Sequence, residues 1–80
     1  MIRLSKHTLS EMGDRRILLA YIEATLANPG MVVPDKNDPA LIRSYKRIEE
    51  YEGRALRVVH RPDGEDIFVA TAHWDRGVKL

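Results

Sequence analysis

One tripeptide divides the chain. Asn28-Pro29-Gly30 ends any helix that reaches it, because Pro29 pushes Asn28 out of the α region and brings no N–H of its own. Before the break, Leu18, Ile22, Thr25 and Leu26 fall at i, i+4, i+7 and i+8, and Ile17 and Tyr21 widen the stripe. After it the texture is that of strands separated by turns. An 80-residue chain holds one core at most. The expectation is therefore a single domain over residues 1–80, helices first and sheet second.

The helical part is expected to hold two helices. Ser5 caps a first one with Leu9 and Met12 on one face, Gly13 stops it, and Asp14 caps the second. Beyond Pro29, Met31-Val32-Val33 is a short strand cut by Pro34. Leu41–Ile48, Arg54–Arg61 and Ile67–Trp74 read as three more, joined through Glu49–Gly53 and the turn Pro62-Asp63-Gly64-Glu65-Asp66. Asp75–Leu80 reads as a frayed polar tail. The fold class is then α+β, two N-terminal helices packed on one face of an antiparallel sheet of about four strands.

Charge narrows the function classes. Lys and Arg number 13 against 12 acidic residues, too even for a generally basic nucleic-acid binder. Nine of the 13 are arginine, the planar bidentate donor suited to phosphate and carboxylate, so a local basic site stays open. With Cys 0 there is no thiolate nucleophile, disulfide or Cys-rich zinc site. His7, His60 and His73 show no metal-ligand spacing, and neither a P-loop nor GxGxxG is present. No metal and no cofactor is expected. No signal peptide or membrane span is read, and a cytoplasmic protein is the expectation.

Strand alternation locates the candidate site. If Arg61 pairs with Ile67, Arg57 meets Thr71 and Ala55 meets His73. Leu56, Val58, His60, Phe68, Ala70, Ala72 and Trp74 then form the opposite, core face. Continuing the meander brings Arg43, Tyr45 and Arg47 beside Arg57 and Arg61. Such a face suits RNA: Arg43, Arg47 and Arg61 hold phosphate, and His73 or Tyr45 moves protons. The same composition also fits the wet face of any one-sided sheet.

Ser5-Lys6-His7-Thr8 followed by Met12-Gly13-Asp14-Arg15-Arg16-Ile17, a second helix ending in Asn28-Pro29, then Val32-Val33, Tyr45-Lys46-Arg47, Arg54-Ala55-Leu56-Arg57-Val58-Val59 and Ala70-Thr71-Ala72-His73 resemble, in order and spacing, the domain of unknown function 4258 family. The resemblance spans roughly Leu4 to Arg76. It implies a fold similar to the small barnase/EndoU/colicin/RelE-type ribonuclease toxins. It also implies catalytic positions at His7, Thr71 and a sheet arginine such as Arg57. Three residues depart from the family pattern. Arg16 replaces the usual glycine, Thr8 the usual alanine, and Glu11 stands where arginine is expected. The function expected is metal-independent RNA cleavage or processing, with RNA as ligand and an antitoxin as a candidate partner. Its rival is a catalytically silent protein-binding module using the same face.

Overall fold

The structure is a computed structural model covering residues 1–80. In chain order it contains β1 (Ile2–Leu4), α1 (Lys6–Arg15), α2 (Leu19–Ala27), β2 (Met31–Pro34) and β3 (Ile42–Ile48). A 3-10 turn (Glu49–Tyr51), β4 (Arg54–Asp63) and β5 (Asp66–Asp75) follow. The sheet is five-stranded in the order β1-β5-β4-β3-β2. Four strands form the expected antiparallel meander. The fifth, β1, pairs parallel to β5 through Ile2–Ile67, Arg3–Phe68 and Leu4–Val69, so the sheet is mixed. Three residues carry no alternation of their own, and β1 exists only through that long-range pairing. No helix is long and apolar enough to cross a membrane.

The core lies between α2 and one sheet face. Ile17 and Ile22 meet Ile48, Leu56, Val58, Val69 and Ala72, with Met12, Tyr21, Leu26 and Trp74 packed around them. Two expected helix boundaries shift. Gly13 does not stop α1, which runs through Gly13 and Asp14 to Arg15, so Asp14 is no cap for α2. The stop is Arg16, in the left-handed region at φ 57°, its N–H donating to the Met12 carbonyl. This conformation favours glycine, which is the residue expected there from the family pattern. Arg16→Gly is therefore expected to stabilise the fold by about 0.5–1 kcal/mol, the relief of left-handed strain less the unfolded-state cost of glycine. A thermal melt that stays put or moves down refutes it.

The β4–β5 hairpin departs from the expected register twice. The strands zip past Pro62 to Asp63–Asp66, leaving a two-residue turn at Gly64-Glu65 with Gly64 at φ 63°, as a turn with a positive first φ requires. That shifts the pairing by one residue, so Arg61 faces Phe68. A bulge then shifts it once more: His60 pairs with Val69, but Val59 pairs with Thr71. The two slips cancel in parity beyond the bulge. Arg57, Thr71 and His73 keep the face expected of them, with Arg57 directly opposite His73 and not Thr71. Near the hairpin the slips do not cancel. Val69, fully buried, takes the core position, while Phe68 turns outward beneath the Arg61 guanidinium, 4.7 Å from its ring centre.

Ser5 and Thr8 tie α1 to this bulge. Where β1 ends, the Ser5 hydroxyl donates to the Ala70 carbonyl at 2.7 Å, and the Thr8 hydroxyl to that of Val69 at 3.1 Å. The Ser5 Oγ also accepts the Thr8 N–H, capping the helix. The threonine departure is thus a buried hydroxyl with a partner. The C-terminal tail is also held: Asp75 Oδ1 accepts the N–H groups of Gly77 and Val78.

Candidate functional site

The sheet face away from α2 carries Arg43, Tyr45 and Arg47 on β3. Beside them lie Arg57 and Arg61 on β4, with Thr71 and His73 on β5. No helix lies over this face. At its β5 side stands α1, which contacts two consecutive residues of opposite orientation. The Trp74 indole donates to the Arg15 carbonyl at 2.8 Å from the core side, and His73 meets the helix from the open side.

A cluster forms around His73. Its Nε2 lies 2.7 Å from the Thr71 hydroxyl, and its Nδ1 lies 3.5 Å from Glu11 Oε2. The His7 ring stands edge-on, 5.9 Å between centroids. Arg57 faces His73 across the strand pair. A carboxylate at Nδ1 favours the tautomer with the proton on that nitrogen, leaving Nε2 as acceptor for the Thr71 hydroxyl. His73 is held below the ordinary histidine pKa, mainly by burial. Glu11 opposes this, while Arg57, His7 and Arg15 reinforce it. The neutral imidazole is thus the resting form at neutral pH.

Two polar atoms of the cluster are sealed from water without a hydrogen bond, Glu11 Oε2 and Arg57 Nε. Glu11 is approached at ion-pair distance by His73 and by Arg15, the latter at 3.6 Å. Arg57 extends its Nη1 to within 3.5 Å of Asp75. Unspent donors and acceptors of this kind cost stability where they are merely structural.

The other expected residues are less available. Arg43 is committed to Asp35 at 2.7 Å. That pair lifts the arginine pKa further, helped by the Tyr45 hydroxyl, and holds the Asp35 carboxyl below its usual range. Tyr45 lies opposite Arg57 in the β3–β4 register but is only 4% exposed. Arg47 donates to the Gly53 carbonyl, and Arg61 stacks on Phe68 near Asp63. His60 is on the core side as expected, 2.8 Å from the Ser44 hydroxyl, with its pKa lowered by burial.

Glu11 and Asp75 are the members that motif reading did not assign to the site. Glu11 was legible in principle: His7 and Glu11 are four apart on one helix and share a face. No three His, Asp or Glu side chains are grouped as metal ligands.

The family model described as Domain of unknown function (DUF4258) matches residues 4–74. The chain belongs to this family. The matched span runs one residue past His73, so the DUF4258 region contains His7, Glu11, Arg57, Thr71 and His73 together. No curated protein and no solved structure is matched.

Proposed function

We propose that this DUF4258 protein is a metal-independent endoribonuclease of the RelE/barnase-like kind, with the His73 cluster as its active site. The observation that carries the reading is the pair of imidazoles, His7 and His73, 5.9 Å apart beside Arg57. Transesterification of RNA needs a base for the 2′-OH, a cation for the phosphorane charge and an acid for the leaving oxygen.

In this scheme neutral His73 accepts the 2′-OH proton at Nε2, where the Thr71 hydroxyl sits in the free protein. The 2′ oxygen attacks phosphorus while the bond to the 5′ oxygen breaks. His7 passes a proton to that leaving oxygen. Arg57 binds the non-bridging oxygens through the Nη1 that faces Asp75 in the free protein. Glu11 positions His73 without touching substrate. The products are a 2′,3′-cyclic phosphate and a 5′-hydroxyl.

The test is incubation of the purified chain with single-stranded RNA in the presence of EDTA. Cleavage to those two ends is expected, and a single deoxy sugar at the cleaved position should block it. Intact RNA with the wild-type chain defeats the proposal. One observation favours the rival protein-binding reading: Arg43, Arg57 and Arg61 all have acidic neighbours, so the sheet face is less electropositive than its arginine count suggests. A silent binding module leaves the RNA intact.

A further inference from the structure

The broadest concavity of the protein lies off the sheet face. A groove of about 450 Å³ opens beside the α1–α2 turn, against the neighbouring ends of β4 and β5. Four arginines line it, Arg15, Arg16, Arg54 and Arg76, together with Tyr51 and Trp74. Asp14 is the only acidic residue in its wall, and His73 is shared with the cluster described above.

Two of its four guanidinium charges are unspent, and Arg15 reaches Glu11 at 3.6 Å. Arg16 and Arg76 make no ion pair. Arg54 reaches only Glu52, at 3.5 Å, a carboxylate that is itself 76% exposed. The aromatic wall, by contrast, is fixed. Trp74 and Tyr51 stack with centroids 4.4 Å apart and planes at 11°, Tyr21 meets Trp74 edge-on at 6.1 Å, and the indole N–H is held by the Arg15 carbonyl. Arg54 also lies over the Tyr51 ring, 5.4 Å from its centre.

Guanidinium groups beside a rigid aromatic wall are the chemistry of single-stranded nucleic acid, whose phosphates and flat bases recur together. An acidic peptide would satisfy the arginines but offer the rings nothing planar. The strained conformation of Arg16 points the same way, since a glycine would hold the turn at lower cost and carry no charge.

We propose that this arginine-lined groove is a second binding site, taking the nucleotides of single-stranded RNA that flank the bond held at the His73 cluster. The assignment rests on the reading of that cluster as an RNA site, but its test does not depend on cleavage. Trp74 is the only tryptophan in the chain and reports on the groove directly.

The probe is a short single-stranded oligonucleotide with 2′-O-methyl sugars, which offers no 2′-OH to attack. Titration is expected to change Trp74 fluorescence saturably. Arg16→Gly and Arg76→Ala should each weaken binding severalfold. Each should also lower the slope of log affinity against log salt by about 0.7, the value for one phosphate contact on a single strand. Arg16→Gly is expected to be more stable than wild type, so a binding loss there is not unfolding. Lys36→Ala, an exposed cation in the β2–β3 connection that does not line the groove, should leave the affinity unchanged. The proposal is overturned if fluorescence is unmoved, if both arginine variants keep wild-type affinity and salt slope, or if polyglutamate binds through these arginines and the oligonucleotide does not. Arginine-dependent binding without cleavage upholds the groove and defeats only the nuclease reading.

Discussion

Leu56→Ala is expected to destabilise the protein by about 2–5 kcal/mol, the cost of deleting a fully enclosed leucine and leaving a cavity that relaxes only in part. Leu56 has no exposed surface and stands in the central strand β4, within the cluster formed by Ile17, Ile22, Ile48, Val58, Val69 and Ala72. Apart from Val58 on the same strand, its neighbours belong to α2, β3 and β5 or to the turn before α2, so the space cannot be closed by moving one element. A domain of this size has a total stability of about 4–12 kcal/mol. Losing 2–5 of these lowers Tm by roughly 10–30 °C and brings the unfolded form into view near physiological temperature. Urea unfolding measures it: the midpoint should fall at unchanged m. Val32→Ala on the exposed edge strand is the control, since Val32 is 53% exposed and should shift stability by no more than about 0.5 kcal/mol. A Leu56→Ala loss below 1 kcal/mol would mean that the core is not centred here.

The contrast between these two positions shows what the sequence made legible. Leu56 and Val58 flank Arg57 at the strand period of two, which places both on the face opposite that arginine. Pro29 and the Pro62–Asp66 turn likewise announce their elements through local sterics. What stayed hidden depended on distant partners. Ile2–Leu4 is a strand only because β5 offers it an edge. The bulge at Ala70 has no sequence signature, and it is stabilised by hydroxyls more than sixty residues away. Without it, Phe68 would face the core and Val69 would not.

The site divides along the same line. That Arg57, Thr71 and His73 share a face follows from the period of two, although the pairing lies two residues from the expected one. The approach of α1 did not follow. His7 and Glu11 come to His73 because the helix begins where β1 ends, a consequence of that parallel pairing. The groove was equally out of reach. Its arginines come from the end of α1 and the turn after it, the start of β4 and the tail, and no spacing in the chain links them.

His73→Gln is expected to reduce RNA cleavage by about 10²–10⁴-fold, the range that a positioned proton acceptor contributes, while fold and oligonucleotide binding persist. The pH profile separates this role from a structural one. Burial places the folded-state pKa of His73 below its ordinary 6.5, so the base is already neutral at pH 7 and the acid limb of cleavage should lie below 6.5. Glu11 is the one neighbour that raises this pKa. Glu11→Gln should therefore move the limb to still lower pH, whereas Arg57→Ala or His7→Ala, removing groups that depress it, would move any residual limb upward. Stability carries the same sign by linkage. A histidine depressed in the folded state takes up its proton at higher pH in the unfolded chain, so stability is intact above about 6.5 and falls as pH drops through the folded-state value. His60 is depressed in the same sense and adds to the loss. His73→Gln should thus flatten part of the acid dependence of Tm while removing activity at every pH. An acid limb in Glu11→Gln that moves upward, or a His73→Gln variant that cleaves at the wild-type rate, would remove His73 from the chemistry.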